Sequence, residues 1–213
     1  MNGPSSEPQA SKGSREMAAL YDALEGDYDR WTAWLDRALL GRMREDLLRD
    51  ASGEVLEVAI GTGKNLAYYP RSCRVTGLDL SGRSLPRAAR EAARHSIAFA
   101  AERGEASSLA FDAGRFDTVV CTVAGCTFDD PLTVYREMRR VCRPGGRVLF
   151  LEHVRPRSPV LRAFCRSIAE QSWRTLRCDP NRDTERTIEE AGLRITKRHA
   201  VVGEMFVQLV AEP

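Results

Sequence analysis

The chain has 213 residues, 43% of them hydrophobic, which is enough for one domain with a buried core. Lys and Arg total 32 against 30 for Asp and Glu, so the net charge of +2 excludes the strongly basic surface of a nucleic-acid-binding protein. No apolar run approaches the roughly 20 residues that span a bilayer, and the six cysteines form no C-x-x-C pair. We therefore expect a cytoplasmic protein with reduced, buried thiols, no integral membrane part and no nucleic-acid partner.

The first 50 residues divide into two parts. Residues 1–14 are rich in Gly, Pro and Ser and lack an apolar stretch, which predicts a disordered tail and no secretory signal. Between residues 15 and 50 the apolar side chains recur at helical spacing. This segment is therefore predicted to form a helical cap, and Gly53 ends it. The apolar positions are Leu35, Leu39, Leu40, Met43, Leu47 and Leu48.

Apolar, β-rich runs and helical segments then alternate along the chain. The five predicted strands are 54–60, 74–80, 97–102, 116–123 and 147–154. The predicted helices are a short one after Gly63, one over 83–95, and one that Asp130 caps and that runs from Pro131 through Cys142. Alternation of this kind indicates βαβ units, and hence an α/β protein with a parallel sheet and helices on both faces.

The pattern changes after Pro156. Two helices are predicted in succession, over 159–176 and 181–192, and Gly192 ends the second. Two strands follow, "LRITKRHAVV" and "EMFVQLVAE", joined by a short connection at Gly203. Because adjacent strands with a short connection pair antiparallel, we expect the sheet to end in an antiparallel hairpin. With these two, the predicted sheet has seven strands, in a single domain over residues 15–213.

A glycine turn follows the first strand, in the segment "VLEVAIGTG". The strand leads into Gly61-Thr62-Gly63, where a helix begins, and unpaired amides at a helix start favour an anionic or strongly polar group. The third glycine of a dinucleotide-binding G-x-G-x-x-G motif is missing, so the ligand need not carry a pyrophosphate.

Asp79 ends the second strand, at the distance from the turn where an acid accepts both hydroxyls of a ribose. Glu57, inside the first strand, would repel a phosphate but attract an ammonium or sulfonium group. A ligand that combines a ribose, a carboxylate and cationic centres is S-adenosylmethionine.

Four blocks carry a family resemblance in order and spacing: "VLEVAIGTG", "VTGLDLS", "FDTVVCTV" and "RPGGRVLFLEH". From about residue 21 to residue 213, the chain resembles the class I S-adenosylmethionine-dependent methyltransferases. Within them it is similar to the ubiquinone/menaquinone-biosynthesis type (methyltransferase type 11). "GTGKNLAYYPRSCRVTGLDLS" and "CDPNRDT" also resemble the branch of thiol methyltransferase-like proteins and bacterial phospholipid N-methyltransferases.

The resemblance implies a fold and a cofactor site. The fold is a Rossmann-like, doubly wound sheet of seven strands, mostly parallel, with a C-terminal antiparallel hairpin, a helical cap (15–50) and a helical insertion (157–180) over the acceptor pocket. Glu57, Ala59, Gly61 and Gly63 line the methionine end of the cofactor, Asp79 holds the ribose, and Leu80 packs on the adenine. Glu105 and Ala106 approach the adenine amino group, although the family more often has Asp there. Ala59 replaces the first glycine of the family turn. The remaining expected contacts are Thr62, Asn65, Thr122 and Val123.

The expected reaction is an in-line displacement at a sulfonium, in which proximity and orientation supply most of the rate and no metal is required. His153, at the end of the fifth strand, is the candidate base, with a structural role in the pocket as the alternative. Tyr21 and Tyr28, near the N-terminus, are the candidates for a lid over the cofactor. Their alternative role is aromatic packing against the sheet.

Other functions remain open at this point. A nicotinamide-dependent oxidoreductase is opposed by the missing third glycine, and a cofactor-binding module without an acceptor is opposed by the intact turn with Asp79. Within the methyltransferases, a small-molecule acceptor is favoured. A phospholipid amine is the alternative, because the helix over 159–176 and its arginines could contact a membrane surface. The sequence does not identify the acceptor, the methylated atom (O, N or S) or the oligomeric state.

Overall fold

The computed structural model describes residues 11–24, 39–201 and 204–213, and all structural statements below concern these residues. Their central feature is one seven-stranded sheet, as predicted. The strands are β1 (Glu54–Val58), β2 (Arg74–Asp79), β3 (Ala98–Arg103), β4 (Phe116–Thr122), β5 (Cys142–His153), β6 (Arg194–Val201) and β7 (Phe206–Glu212).

The strand order in the sheet is β3-β2-β1-β4-β5-β7-β6. Strands β1 to β5 are parallel, and β7 is antiparallel to both of its neighbours, β5 and β6. The predicted mostly parallel sheet with an antiparallel C-terminal pair is therefore confirmed. Strands β1 to β3 are added towards one edge of the sheet and strands from β4 onwards towards the other, so the strand order switches between β1 and β4. The carboxyl ends of these parallel strands lie at the same end of the sheet, and open α/β sheets bind ligands beside such a switch point.

Helices cover both faces of the sheet. The described α-helices are α1 (Lys12–Leu24), α2 (Gly41–Leu48), α3 (Ser84–His95), α4 (Pro131–Val141), α5 (Pro159–Leu176) and α6 (Thr184–Glu190), and a 3₁₀ helix spans Lys64–Ala67. None of the described helices is long and apolar enough to cross a membrane. Residues Lys12 to Ser14, which the sequence assigned to the tail, form the first turn of α1.

Two hydrophobic clusters pack against the opposite faces of the sheet. Alternate residues of β4 point to opposite sides, so Val119 belongs to one cluster and Val120 to the other. The first cluster contains the buried side of α4 and Ile188 of α6. The second contains the apolar sides of α2 and α3. The apolar spacing that predicted the helical cap thus buries one face of α2 on the sheet.

Strand β5 begins five residues earlier than predicted. Cys142 pairs with Phe116 and Arg147 pairs with Thr118, so the four residues between Cys142 and Arg147 oppose Asp117 alone. This bulge accommodates the "RPGG" segment within the strand, with Gly145 at φ +75°. The sequence indicated a turn there because Pro and Gly usually interrupt strands.

Helix α6 begins three residues later than predicted. The backbone N–H of Asn181 donates to Asp179 Oδ1 at 2.9 Å, and this local turn delays the helix to Thr184. Its end is as expected: Gly192, at φ +86°, donates to Glu189 O, and Leu193 donates to Ile188 O. This pair of bonds is the Schellman motif, which requires a left-handed residue.

Candidate functional site

A cavity of about 680 Å³ opens at the carboxyl ends of the central strands. Its size is that of a site for a cofactor together with a small ligand. Most of the residues predicted for the site line it: Tyr21, Glu57, Ala59, Gly61, Thr62, Asn65, Asp79, Leu80, Glu105, Ala106, Thr122, Val123 and His153. The structure thus brings the predicted cofactor and acceptor residues to one place. Tyr28 lies outside the described residues.

The two glycines of the turn have different environments. Gly61 (φ +56°) lines the cavity, and a Cβ built on it meets nothing within 4 Å. Gly63 (φ +84°) does not line the cavity. A Cβ there would lie 2.6 Å from Leu66 Cδ1 and 2.9 Å from the Cα of Ala88 in α3. Close packing against α3 is therefore one reason why a glycine stands here, and its contact with a ligand stays a prediction.

Asp79, at the end of β2, holds the turn. Its Oδ2 accepts from the backbone N–H of Gly61 at 2.8 Å, and its Oδ1 accepts from the N–H of Ser81 at 2.8 Å. Burial raises the pKa of Asp79 above its usual value, and the two amide hydrogen bonds oppose this shift. Each carboxylate oxygen keeps a second lone pair, so the group can accept hydroxyl donors from the cavity.

Ala59 adopts a left-handed conformation, at φ +55°. An L-residue there costs about 1–2 kcal/mol relative to glycine. We expect Ala59→Gly to raise the free energy of unfolding by about 1 kcal/mol, since glycine relieves this strain but gains entropy in the unfolded chain. Urea denaturation measures the change. Ala51→Gly, at a buried alanine without positive φ, is the control and should destabilise. A destabilised Ala59→Gly variant would contradict the argument.

Glu57 is buried beneath the cavity, with 2% of its surface exposed. Its Oε1 accepts from Asn65 Nδ2 at 2.8 Å, and its Oε2 accepts from the hydroxyl of Tyr69 at 2.8 Å. Burial raises the pKa of Glu57 to about 7, although these hydrogen bonds and the nearby Arg44 lower it. The carboxyl group is thus held in one orientation. A cation bound in the cavity would lower its pKa and favour the ionised form.

Arg44 extends the network from α2 to β4. Its Nη1 donates to Asn65 Oδ1 at 2.6 Å and to Thr122 Oγ1 at 3.0 Å, and Asn65 Nδ2 donates to the same hydroxyl at 3.0 Å. Arg44 is 6% exposed and lines the cavity. This end of the cavity therefore has a buried guanidinium beside a buried carboxyl group. Such a pair can bind the carboxylate and the ammonium of a zwitterionic amino-acid group.

Glu105 carries an unsatisfied acceptor. Its Oε1 accepts from the N–H of Ser107 at 3.5 Å, whereas its Oε2 is buried and has no hydrogen-bond partner in the described parts of the chain. Leaving a buried acceptor unpaired costs about 1–3 kcal/mol. A ligand that donates a hydrogen bond into the cavity would remove that cost.

His153 and Val123 lie at the tips of neighbouring strands. The ring of His153 packs on Phe206 of β7 at a centroid distance of 5.3 Å, and both residues line the cavity. Val123 has φ +52°, which is rare for a β-branched residue, and its N–H donates to Leu151 O at 2.7 Å. The tip of β4 is thus held in a strained conformation at the cavity wall.

Glu152, on the neighbouring strand β5, holds the segment that follows β4. It is fully buried and accepts from the N–H of Gly125 at 3.1 Å with either oxygen, and from Cys121 Sγ at 3.3 Å. Burial raises the pKa of Glu152 to about 7, although the hydrogen bonds lower it. The side chain orients the segment after β4 and does not reach the cavity wall.

The raised pKa values of Glu57 and Glu152 predict a pH-dependent stability. Because each folded pKa of about 7 lies above the ordinary 4.5, folding favours the protonated forms. Their stabilisation is complete below the unfolded pKa and is lost as the pH rises through the folded one. We expect the free energy of unfolding of the ligand-free protein to fall between about pH 5 and about pH 8.

Urea denaturation across this pH range measures the effect, and Glu57→Gln provides the comparison. The amide keeps the shape of the side chain but cannot ionise, so this variant should lose part of the pH dependence. Glu45→Gln, on the exposed side of α2, should retain all of it. An equally steep profile in Glu57→Gln would show that Glu57 titrates alike in the folded and unfolded states.

Helix α1 covers the cavity. Met17, Ala18 and Tyr21 line the cavity, although no residue of α1 is fully buried. The Tyr21 hydroxyl donates to Leu176 O at 3.2 Å, and Arg177 contacts Glu16 at 3.0 Å. A hydrogen bond between Ser81 and Asp22 joins the same helix to the end of β2. The described part of the cap therefore contacts both the cofactor side and the α5 side of the cavity.

Sequence reasoning missed Arg44, Glu152 and a pair of cysteines that line the cavity, Cys126 and Cys178, whose Sγ atoms are 3.2 Å apart. Arg44 lies on the apolar face of α2, one residue after Met43, and Glu152 interrupts the apolar run "RVLFLEHV". A charged residue on a buried face was thus an available signal for both. The cysteine pair joins segments 52 residues apart, and spacing alone gives no signal for it.

Comparisons with known proteins indicate a family for the chain. The model of a family described as a methyltransferase domain matches residues 56–150. A thiol S-methyltransferase of Homo sapiens is 28% identical over 189 residues, which cover 86% of this chain and 77% of that protein. A phosphatidylethanolamine N-methyltransferase of Cereibacter sphaeroides is 33% identical over 141 residues, which cover 62% and 68%, respectively.

A solved structure shares the fold. It is that of an S-adenosylmethionine-dependent methyltransferase from Thermotoga maritima, described as a possible histamine N-methyltransferase. The TM-score is 0.70 at 18% identity, covering 92% of this chain and 99% of the other.

Proposed function

Because the chain belongs to the class I S-adenosylmethionine-dependent methyltransferases, we propose that it transfers the methyl group of this cofactor to a small acceptor bound in the same cavity. The observation that carries the proposal is the continuity of the cavity. It runs from Asp79 and Glu105 on one side to Val123 and His153 on the other, so it has room for both reactants. Membership of this family leaves no support for a nicotinamide-dependent oxidoreductase.

The residues of the cavity fit the chemical groups of the cofactor. Asp79 has free lone pairs for the ribose hydroxyls, and the unpaired Oε2 of Glu105 suits the adenine amino group. Leu80 and Ala106 supply apolar contact for the ring. Thr62, on the turn, lines the cavity between these groups and Glu57.

Glu57 and Arg44 would hold the methionine end. We assign the ammonium group to Glu57 and the carboxylate to Arg44, with Asn65 joining the two through its hydrogen bonds of 2.8 and 2.6 Å. Charged partners that are fixed before binding lose little side-chain entropy when the ligand arrives. The same charges select against a phosphate, which Glu57 would repel.

The bound cofactor supplies an electrophilic methyl group and a neutral thioether leaving group. The chain has to place the nucleophile in line with the methyl group and to exclude water. Val123 and Thr122 form the floor between the reactants, and α1 with Tyr21 covers them. His153 is positioned to accept the proton of an O–H, N–H or S–H acceptor as the new bond to the methyl carbon forms. No metal is part of the proposal.

Asp79→Ala tests the cofactor site. We expect the affinity for S-adenosylhomocysteine to fall by about 1–3 kcal/mol, because the ribose hydroxyls lose their acceptor. Isothermal titration calorimetry measures the affinity, and circular dichroism shows whether the variant folds. Glu102→Ala, an exposed acid on neighbouring β3, should bind normally. Unchanged affinity in Asp79→Ala would refute the assignment.

The acceptor is best found by a screen with labelled cofactor. The two relatives described above act, by name, on thiols and on a phospholipid amine, so these classes come first, followed by soluble amines and phenols. Transfer of label to any acceptor identifies the class and the methylated atom. Failure of every class, with cofactor binding intact, would point to a cofactor-binding module instead.

A phospholipid amine is the second candidate, and the surface of α5 favours it. Val160, Phe164 and Ile168 are 77%, 54% and 37% exposed and follow each other at four-residue spacing on one face of the helix. Exposed Arg166 and Arg174 lie on the same helix, and Leu176 at its end lines the cavity. Apolar and basic side chains arranged in this way are typical of helices that lie in a membrane interface.

Vesicle flotation separates the two candidates. If the acceptor is a lipid, the protein should float with vesicles of phosphatidylethanolamine and phosphatidylglycerol and should transfer label to the ethanolamine headgroup. Phe164→Glu should abolish both, whereas Ala163→Glu, at an exposed small residue of the same helix, should not. A protein that stays with the soluble fraction and labels only soluble acceptors has the small-molecule function.

A further inference from the structure

Two cysteines meet at the cavity wall. Cys126 lies in the segment after β4 and Cys178 in the segment after α5, and their Sγ atoms are 3.2 Å apart although 52 residues separate them in sequence. Both residues line the cavity, Cys126 buried and Cys178 half-buried. Methyl transfer, as described above, uses neither thiol.

Neighbouring contacts fix the two segments relative to each other. The N–H of Asp179 donates to Cys126 O at 3.1 Å. Arg182 Nη1 donates to Gly125 O at 3.2 Å and to Phe128 O at 2.6 Å, on both sides of Cys126. The short distance between the sulfurs therefore results from the hydrogen bonds that Asp179 and Arg182 make to backbone carbonyl groups around Cys126.

The environment activates one of the two thiols. The pKa of Cys178 is lowered, first because Cys126 shares a hydrogen bond with its sulfur and also because of the neighbouring His153. The pKa of Cys126 is raised by the same hydrogen bond and by burial. Two thiols in contact, of which the more exposed one has the lowered pKa, are the usual arrangement of a redox-sensitive cysteine and its resolving partner.

We propose that Cys126 and Cys178 are a modification site, at which a hydroperoxide that enters the cavity converts the thiol pair into a reversible disulfide. The Cys178 sulfur attacks the outer oxygen of the hydroperoxide, an S–O bond forms as the O–O bond breaks, and the leaving alkoxide or hydroxide takes up from solvent the proton that the Cys178 thiol released. This step oxidises Cys178 to the sulfenic acid. The Cys126 sulfur then attacks the Cys178 sulfur, the S–S bond forms, and the hydroxide that leaves takes the Cys126 proton as water.

The geometry requires little movement. A disulfide has an S–S distance of about 2.05 Å, so the sulfurs approach each other by roughly one ångström. The bond would link the segment after β4 to the segment after α5 and would take up the Cys178 sulfur, which neighbours His153. We therefore expect oxidation to slow methyl transfer and to leave cofactor binding, on the Asp79 side, unchanged.

The test oxidises the whole protein with hydrogen peroxide and counts its thiols. We expect the six free thiols to fall to four, the intact mass to fall by two hydrogen atoms, and dithiothreitol to reverse both changes. A non-reducing digest of the oxidised protein should contain one linked pair of peptides, carrying Cys126 and Cys178. Linkage of other cysteines, a disulfide between two chains, or oxygen added to Cys178 while Cys126 stays free would overturn the proposal.

Matched variants identify the pair independently of the digest. Cys126→Ser and Cys178→Ser should each prevent the loss of two hydrogen atoms. Cys165→Ser should not, although Cys165 is a buried thiol of the adjacent helix α5. Disulfide formation in either of the first two variants, or its absence in Cys165→Ser, would contradict the assignment.

The activity measurement is separate from the thiol measurements. The thiol count and the intact mass are measured without an acceptor, so their outcome does not depend on the proposed function. Only the expected slowing of turnover rests on the proposed function, and its measurement uses the acceptor that the screen finds. Oxidised wild-type protein should recover its turnover with dithiothreitol, and peroxide should not slow Cys178→Ser, which lacks the sulfur that is oxidised first. Equal turnover in the oxidised and reduced forms would limit the pair to a modification without control of the reaction.

Discussion

Gly61→Val is expected to abolish binding of S-adenosylhomocysteine in a protein that still folds. The Cβ position at Gly61 faces open cavity, so the branched side chain would occupy the space of the ligand. Valine also has to adopt φ +56°, at a cost of about 1–2 kcal/mol, which a domain of this size tolerates. Calorimetry should detect no binding, and circular dichroism should show a folded protein with a lowered melting temperature.

Two other glycines serve as comparisons. Gly82→Val, next to the site at a position where a Cβ meets nothing within 4 Å, should bind and fold normally. Gly63→Val should lose stability, because its side chain would overlap Leu66 and the backbone of Ala88. Normal binding by Gly61→Val would place the cofactor elsewhere and would refute the role of the turn.

His153→Ala should lower turnover by about 10²-fold or more on an acceptor that arrives protonated. The affinity for the cofactor should hardly change, since His153 lies at the end of β5, on the opposite side of the cavity from Asp79. Steady-state kinetics with the acceptor found by the screen measure kcat and KM, and calorimetry measures cofactor binding. A general base acts on kcat, whereas a residue that only shapes the pocket acts on KM.

The acceptor itself provides the sharpest control. A thiol of low pKa arrives largely ionised and needs no base, so His153→Ala should transfer methyl to it at nearly the wild-type rate. His199→Ala, on the exposed side of β6, should behave as wild type with either acceptor. A rise in KM with kcat retained would assign His153 to binding and leave proximity alone to explain the rate.

The residues proposed to bind the cofactor could be brought together from local sequence alone. Asp79 and the glycine turn follow buried strands directly, and parallel strands bring their carboxyl ends to one edge. The packing of Gly63 could not be predicted in this way, because its neighbour Ala88 lies on a helix that only the tertiary fold brings close.

The acceptor side was less predictable, because it depends on contacts between distant segments. The termini of α5 were predicted correctly, since Pro159 can only start a helix there and the apolar spacing ends at Leu176. Its position beside the segment after β4 depends on Arg182 and Asp179, which look like ordinary loop residues in the sequence. The pairing of Cys126 with Cys178 follows from those contacts.

The strand order has a consequence for how such enzymes diversify. The strand order switches between β1 and β4, so β1–β2 and β4–β5 lie on different sides of this point. We assign the cofactor to the β1–β2 side. We assign the acceptor to the β4–β5 side, together with the α5 insertion. Exchanging residues 157–180 between relatives would alter one side without changing Asp79 or the glycine turn. Segment exchange is therefore a direct route to enzymes with new acceptors and an unchanged cofactor requirement, and the same independence would let acceptor preference drift quickly among natural descendants.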